Sequence, residues 1–228
     1  MYWGKVIENN KMKEDVHVLK IRFDGIENFS YLPGQFAMLS PNGTSRAYSI
    51  ANAPNYKYLE FCIRKVPGGK VSPVLCSLKE GETLKIFVPF GEFTLPEKIE
   101  KNLVFICTGT GIAPIKAMIE HVLNEKIYKK VNVTLVKGAL RTEDVLYPEL
   151  LKEWSKKINV QITNDLFGYI RYNANSVRSS TVFVCGSPKI VLGVMEECEK
   201  IGCKDVRYEK CILNQNAIKL SQLSPTGN

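Results

Sequence analysis

Residues 105–122 read FICTGTGIAPIKAMIEHV, which predicts the end of a buried strand, a glycine turn and the start of a helix. Gly109 and Gly111 carry no side chain that would keep a ligand away from the backbone. Pro114 suits the first helical position, where a missing N–H group costs nothing. The free N–H groups at the start of a helix attract anions. The stretch therefore predicts a phosphate site, and the alternative is a tight strand-to-helix connection without a ligand.

The sequence on either side of this stretch divides near residue 98. Before it, short runs rich in β-branched and aromatic residues are separated by turn signals, which predicts an antiparallel barrel or sandwich. After it, apolar strands alternate with helical patterns, which predicts a parallel sheet with crossover helices. The expected strands there are LVFICT, VNVTLVKG, NVQIT and TVFVCG, with helices over 114–126, 147–157 and from Pro188 to about Ile201.

We therefore expect two domains, over residues 1–98 and 99–210, and a polar C-terminal tail over 211–228. Ser187 is placed to cap the start of the last helix, and Gly202 is placed to terminate that helix.

Composition sets further limits on the class of protein. The 228 residues are 45% hydrophobic, yet no apolar run approaches the length of a membrane-spanning helix. The net charge is +8, but the lysines are spread along the chain, so nucleic-acid binding is not expected. Seven cysteines without a C-x-x-C pattern indicate reduced core thiols. We expect a soluble, cytoplasmic protein.

A second candidate site lies in the first half of the chain. Arg46 and Tyr48 share one face of a probable strand, where a guanidinium can hold a phosphate while the ring covers a planar ligand. An ordinary surface strand with a half-buried tyrosine is the alternative. Further along, the backbone of Gly69 and Lys70 and the hydroxyl of Ser72 are placed to meet a phosphate at another helix start.

Seven motifs then occur in one order: PGQF (33–36), RAYS (46–49), GGKVSPVL (68–75), PFGEF (89–93), GTGIAP (109–114), KGALRTEDVLY (137–147) and VCGSPKIV (184–191). With them the chain resembles the ferredoxin–NADP(+) reductase-like flavoproteins over roughly residues 3–208. The resemblance implies an FAD-binding antiparallel β-barrel followed by an α/β parallel-sheet domain that binds NAD(P)H. Its cofactors would be FAD and NAD(P)H.

The resemblance assigns the flavin-binding residues. Arg46 would bind the FAD pyrophosphate, Tyr48 would lie against the isoalloxazine ring, and Ser49 would hydrogen-bond near flavin N5. The backbone of three further residues would line the flavin, namely Ile63, Arg64 and Lys65. The phosphates would be held by Gly69, Lys70, Val71 and Ser72.

The resemblance also assigns the nicotinamide-nucleotide residues. The turn that would cradle the NAD(P)H pyrophosphate contains Gly109, Thr110, Gly111, Ala113 and Pro114. Cys185 would lie beside the nicotinamide C4 atom, with Gly186 and Pro188 shaping its pocket. Cys185 also suits a second interpretation, a small buried residue at a strand end.

The choice between NADH and NADPH depends on the residues after the second strand of the α/β domain. Arg141 or Lys137 could pair with a 2′-phosphate, which favours NADPH. Glu143 and Asp144 are equally near and could instead accept a hydrogen bond from a free 2′-hydroxyl.

The family implies hydride transfer from NAD(P)H to FAD and release of electrons to a protein. One hypothesis is a stand-alone reductase that serves an acidic carrier such as ferredoxin or flavodoxin. The alternative is a subunit docked on a partner dehydrogenase, as in the dihydroorotate dehydrogenase and sulfhydrogenase complexes; a module that has lost its flavin is a remote third. The C-terminal four-cysteine [2Fe-2S] motif of that branch is reduced to Cys211, so no metal site is expected. The terminal aromatic that stacks on the flavin in plant-type members is also missing.

Overall fold

The structure of the chain is a computed structural model that describes residues 1–54 and 56–209. The predicted polar tail over 211–228 and Cys211 lie outside these described residues.

The first half of the chain forms a six-stranded antiparallel barrel. In space the strands follow the order β4-β3-β6-β1-β2-β5. Ile50, just after β4, bridges Phe61 of β5, and this bridge joins the two ends of the sheet. The strands are β1 (Tyr2–Lys11), β2 (Val16–Arg22), β3 (Phe36–Ser40), β4 (Arg46–Ser49), β5 (Leu59–Arg64) and β6 (Thr83–Phe90), and the short helix α1 (Ser72–Ser77) lies between β5 and β6. The predicted antiparallel barrel is confirmed.

The second half forms a five-stranded parallel sheet with helices on both faces. Its strands are β7 (Leu103–Thr108), β8 (Val133–Gly138), β9 (Asn159–Thr163), β10 (Thr181–Cys185) and β11 (Val206–Tyr208), in the order β11-β10-β7-β8-β9. Its helices are α2 (Ile112–Asn124), α3 (Pro148–Trp154), α4 (Leu166–Tyr172), α5 (Ala174–Arg178) and α6 (Pro188–Lys200). The predicted parallel α/β domain is confirmed.

Alternation along the strands divides this domain into two apolar cores. Phe105 of β7 and Phe183 of β10 face α2 and α3, and barrel residues such as Phe93 belong to the same buried cluster. Val104 and Val182, on the opposite face, pack against α4 and α6. The barrel therefore packs on the α2 side of the sheet. The predicted boundary at residue 98 falls between β6 and β7 and stays a prediction.

Several helix positions differ from the sequence predictions. A 3₁₀ turn over Gly109–Gly111 precedes α2, which begins at Ile112, so Pro114 is the third helical residue instead of the first. The position still costs nothing, because the first four N–H groups of a helix have no partner within it. Ser187 is the N-cap residue of α6 but its side chain makes no capping hydrogen bond.

Two findings bear on the composition arguments. The six cysteines within the described residues are all buried, in agreement with their prediction as core residues. Across residues 1–54 and 56–209, none of the helices combines the length and the apolar character needed to cross a membrane.

Candidate functional site

The order of the parallel strands creates a crevice between β7 and β10. From β7 the chain adds β8 and β9 on one side and then returns to place β10 on the other side of β7. Open α/β sheets bind ligands at such a reversal, beyond the carboxyl ends of the strands. Thr108 and Cys185 are the last residues of β7 and β10, and they stand at this point.

A cleft of about 640 Å³ opens here, with the barrel as its other wall. Fourteen of the residues predicted to form the site line it: Arg46, Tyr48, Ser49, Arg64, Gly69, Lys70, Val71, Ser72, Gly109, Thr110, Gly111, Ala113, Cys185 and Gly186. Five do not line it: Ile63, Lys65, Pro114, Arg141 and Pro188. Residues from two separate motifs of each half of the chain are thus brought to one place.

The glycine turn after β7 packs closely against the backbone at the end of β10. A Cβ atom added at Gly111 would stand 2.5 Å from the carbonyl oxygen of Cys185 and 2.8 Å from the amide nitrogen of Gly186. A Cβ at Gly109 would meet only the Arg64 side chain, at 3.7 Å, although the φ of +48° itself favours glycine. Gly111 is therefore needed for the close approach of two strand ends, whereas Gly109 leaves its backbone open to the cleft.

Strand β4 supplies the barrel wall of the cleft. The Arg46 side chain is exposed, and its Nη1 donates a hydrogen bond to the carbonyl of Ser45 at 2.8 Å. Tyr48 is half-buried, and burial raises its pKa to about 12, a shift to which nearby Cys76 adds and which Arg46 opposes. The phenol is thus neutral near pH 7, with its ring against the barrel core.

Strand β5 presents alternate backbone groups to the cleft. The Lys65 amide donates to the Asp15 carbonyl at 2.6 Å, and Ile63 pairs with His17, so these two residues face β2. Because backbone groups alternate in direction along a strand, Arg64 and Cys62 face the opposite edge, where both line the cleft. Ile63 and Lys65 thus direct backbone groups to β2 and not to the cleft, and the contact of residues 63–65 with a flavin stays a prediction.

The loop before α1 is folded by its own hydrogen bonds. The Gly69 amide donates to the Val66 carbonyl at 3.0 Å, and the Ser72 hydroxyl oxygen accepts from the Val66 amide at 3.0 Å. Asn42 fixes the far side of the loop by donating to the Lys70 carbonyl at 3.1 Å. The Ser72 hydroxyl keeps its own proton available for donation to a ligand.

A second cleft of about 620 Å³ continues from the first past the ends of β8 and β9. The two clefts share Arg64, Thr108 and Gly109. The charged residues that line the second cleft are Lys13, Glu14, Asp15, Arg64, Glu143, Asp144 and Asp165. The charged side chains that line the second cleft are thus mainly acidic.

The two basic residues predicted to meet a 2′-phosphate do not line this cleft. Lys137 is fully buried, and its Nζ donates to the Gly109 carbonyl at 3.0 Å. Its predicted pairing with a 2′-phosphate is wrong, because the side chain instead braces the glycine turn from below. Arg141 is exposed and lies 3.8 Å from Glu143 in a surface ion pair.

Cys185 combines features of both of its sequence interpretations. The residue is 1% exposed and belongs to the core cluster on the α2 face of the sheet. It also forms part of the cleft floor, between Gly111 and Gly186. Contact with a nicotinamide ring therefore stays a prediction.

Sequence reasoning missed five of the lining residues, namely Ala47, Cys62, Val66, Thr108 and Ser187. Cys62 faces the cleft because it lies two residues before Arg64 on β5 and therefore on the same face of the strand. The strand pattern of the sequence contained this signal. Thr108 is enclosed by glycines on both neighbouring segments: a Cβ at Gly186 would stand 2.5 Å from its Oγ1, and one at Gly138 would stand 2.8 Å from its Cγ2. Only the folded sheet reveals this enclosure.

The cleft suits a dinucleotide of the flavin type. Its volume lies within the roughly 300–1,000 Å³ of cofactor pockets. Arg46 and Lys70 supply positive charge at the barrel end, and the open edge of β5 supplies backbone groups. Within the described residues no group of three or more His, Cys, Asp and Glu side chains is arranged to hold a metal ion.

Family models match both halves of the chain. Residues 4–95 match the oxidoreductase FAD-binding domain, and residues 105–167 match the oxidoreductase NAD-binding domain. The cofactors of the chain are therefore FAD and NAD(P)H. The cleft lies where the two matched domains meet.

Individual relatives agree with this pairing of domains. The reductase component 1 of terephthalate 1,2-dioxygenase from Comamonas sp is 27% identical over 219 residues, which cover 88% of this chain and 65% of the relative. The sulfhydrogenase 1 subunit gamma of Pyrococcus furiosus is 29% identical over 215 residues, which cover 84% of this chain and 72% of that subunit. The chain thus spans about two thirds of the length of the dioxygenase reductases.

A solved structure shows the same fold. The ferredoxin-NADP+ reductase of Plasmodium falciparum superposes with a TM-score of 0.78 at 21% identity, over 91% of this chain and 95% of that one.

Proposed function

We propose that this chain, which belongs to the ferredoxin reductase-like family of FAD- and NAD-binding oxidoreductases, takes a hydride from NADH or NADPH onto FAD and delivers the electrons to a protein acceptor. One observation carries the proposal: residues of the FAD-binding barrel and the ends of β7 and β10 line one cleft. Hydride transfer requires two rings held face to face at contact distance, which a shared cleft provides. When bound, FAD would supply the hydride acceptor at N5 and the ability to pass the two electrons on one at a time.

The barrel side of the cleft binds and orients the flavin. Arg46 and the loop over residues 68–72 are placed to hold the pyrophosphate by charge and by N–H donation. Tyr48 offers a neutral ring to the isoalloxazine, and the Ser49 hydroxyl is placed to donate near N5. The open edge of β5 at Cys62 and Arg64 completes this wall.

The sheet side binds and orients the nicotinamide nucleotide. The N–H groups at the start of α2, beyond Gly109, face the cleft and attract the pyrophosphate. Lys137 lies under this turn and adds positive charge there. Cys185 and Gly186 form the floor where a nicotinamide would contact the flavin, and their close packing against Gly111 keeps water out from below.

The first prediction concerns flavin retention. Arg46→Ala is expected to weaken FAD binding roughly 10- to 100-fold, since it removes a charge-assisted contact worth about 1.5–3 kcal/mol. Titration of the apoprotein with FAD measures the effect. Arg22→Ala, which removes an exposed arginine at the end of β2, serves as the control. Equal FAD affinity in the two variants would remove Arg46 from the site.

The second prediction concerns the nucleotide. The second cleft is lined by five acidic and two basic side chains, a formal excess of three negative charges. A 2′-phosphate carries about two negative charges and would be repelled there. We therefore expect NADH to be preferred over NADPH by at least about tenfold in kcat/KM, which reverses the preference drawn from Lys137 and Arg141.

Charge removal tests the cause of this preference. The double variant Glu143→Gln/Asp144→Asn should lower the NADH preference, whereas Glu149→Gln, on the exposed start of α3, should leave it unchanged. An NADPH preference in the unaltered protein would contradict the electrostatic argument.

The acceptor is a protein in both candidate settings. The net charge of +8 supports an acidic diffusible carrier. The likeness to a sulfhydrogenase gamma subunit supports docking on a partner enzyme. Steady reduction of an acidic carrier by the isolated chain would favour the first setting, and co-purification with a second polypeptide would favour the second.

Reduction of the bound flavin by NADH is the direct test of the function. Anaerobic mixing of the FAD-loaded protein with NADH should bleach the oxidised flavin, and a flavin that stays oxidised would contradict the proposal.

A further inference from the structure

A buried cluster of charges joins the two domains behind the cleft. Lys116 on α2 is 5% exposed, and its Nζ lies 2.6 Å from Oε1 of Glu120 on the same helix. The same Nζ lies 3.2 Å from Oε1 of Glu60 on β5 and donates to the Ala51 carbonyl at 3.1 Å. One ammonium group of the nucleotide domain is thus bound by three groups, two of which belong to the barrel.

Other groups complete the cluster. The Tyr147 hydroxyl donates to Oε1 of Glu60 at 3.1 Å, and its ring centroid lies 5.6 Å from the Lys116 ammonium. On the far side, Oε2 of Glu120 accepts from the Ala53 amide of the barrel at 2.9 Å. Each carboxylate therefore contacts both domains.

Lys116 and Tyr147 both keep their protons near neutral pH. Burial alone lowers the pKa of Lys116, but Glu60 and Glu120 outweigh burial and hold that pKa above its usual value. Burial, together with Cys62 and Glu60, raises the pKa of Tyr147, so the phenol keeps its proton. Lys116 therefore remains a cation across the physiological range, and it lies between Glu60 and Glu120.

Stability alone is a weak reason for such a cluster. Apolar side chains of similar volume often stabilise a core as well as a buried ion pair does, because each charge loses its hydration. What directional hydrogen bonds add is a defined position. The cluster fixes where α2 lies on β5 more sharply than apolar packing would.

That position matters because both elements lead directly into the cleft. Lys116 lies about one helical turn after Ile112, and the residues just before Ile112 form the glycine turn. Glu60 lies on the same strand as Cys62 and Arg64, which line the barrel wall. One ammonium contact therefore links the segment that binds the nucleotide to the strand that borders the flavin.

We propose that Lys116 is a positioning residue, which clamps α2 onto β5 and so sets the nicotinamide at the correct distance and angle over the flavin. This inference rests on the proposed hydride transfer. Lys116 itself touches neither cofactor, since it lies outside both clefts. Its loss should affect the hydride-transfer step more than the binding of either cofactor.

Lys116→Met tests the clamp, because methionine keeps much of the side-chain length and removes the charge. The rate constant for flavin reduction should fall about 10- to 100-fold, as expected for a misplacement near 1 Å, while the NADH dissociation constant and FAD content change less than about threefold. The absorbance band from stacking of nicotinamide on flavin should weaken in parallel. Lys156→Met is the matched control, because it breaks an exposed ion pair with Glu153.

A second variant separates position from stability. Lys116→Met leaves the carboxylates of Glu60 and Glu120 without their cation, and adding Glu60→Gln removes one of those two carboxylates. The double variant should recover melting temperature but not the reduction rate. A rate that recovers together with stability would show a merely structural role and overturn the inference.

Hydrogen exchange of the apoprotein gives a readout that needs no cofactor. The Ala53 amide, held by Glu120, should exchange at least about tenfold faster in Lys116→Met, and as slowly as in the unaltered protein in Lys156→Met. Wild-type rates of both exchange and flavin reduction in Lys116→Met would overturn the clamp alone. Failure of NADH to reduce the flavin of the unaltered protein would instead overturn the proposed function on which the clamp rests.

Discussion

Gly111→Ala is expected to lower the rate of flavin reduction by NADH at least about a hundredfold. The added Cβ would stand 2.5 Å from the Cys185 carbonyl oxygen and 2.6 Å from its carbonyl carbon. Both are backbone atoms at a strand end, so no flexible side chain can move aside. The start of α2 must shift, and the nucleotide turn moves with it. Anaerobic stopped-flow reduction measures the loss.

The control is a glycine whose substitution adds strain without a clash. Gly25 has a φ of +81° and no heavy atom within 4 Å of an added Cβ, and it lies in a barrel turn. Gly25→Ala should lower the free energy of unfolding by about 1–2 kcal/mol and leave the reduction rate unchanged. A wild-type rate in Gly111→Ala would mean that the approach of the two strand ends does not position the nucleotide.

Cys185→Leu should lower the rate of flavin reduction on the order of a hundredfold, because a larger side chain on the cleft floor crowds the nicotinamide away from flavin N5. Cys185→Ser should keep most of the activity, because a hydroxyl is as small as the thiol it replaces. The predicted role is one of placement, and it requires no covalent chemistry at sulfur.

Because Cys185 is 1% exposed, the leucine also strains the core, and a second variant must account for that effect. Cys107 pairs with Cys185 in the register of β7 and β10, lies on the same sheet face and is fully buried. Cys107→Leu should destabilise the protein comparably while it leaves the reduction rate near wild type. Similar rates in the two leucine variants would show that Cys185 acts only as a core residue.

Turn residues in the sequence were enough to predict where the site lies. Gly109, Gly111 and Pro114 mark a strand-to-helix turn. The change from short strands separated by turns to strands that alternate with helices marks the two domain types. These signals are local, so they can be recognised without knowledge of the fold. They predict which strand ends carry ligands, because crossover connections restrict how parallel strands can be ordered.

Some elements lacked a strong local signal. Strand β1 is central in the barrel, but it reads YWGKVIENNK, with only Gly4 and Val6 fully buried. Helix α4 has seven residues with a glycine inside, although Asp165 caps it by accepting from the Gly168 amide at 2.8 Å. Hydrophobic periodicity does not identify strands or helices whose patterns are this short or mixed.

Other features depend on contacts between distant residues. Lys116 lies in an apolar helical pattern, and only the fold brings it to Glu60, 56 residues away in the chain. Lys137 has the charge of a phosphate ligand, but burial under Gly109 gives it a different role. No sequence window contains both partners of either contact, so residue type alone cannot assign them.

Hydride transfer in the shared cleft is tested most directly by a single-turnover reduction of the FAD-loaded protein by NADH that carries deuterium on one face of C4 at a time. We expect rapid bleaching of the oxidised flavin, with a primary isotope effect from one face only, because the shared cleft holds the two rings in one orientation. A flavin that stays oxidised, or that is reduced equally slowly with either face labelled, would contradict hydride transfer in the shared cleft.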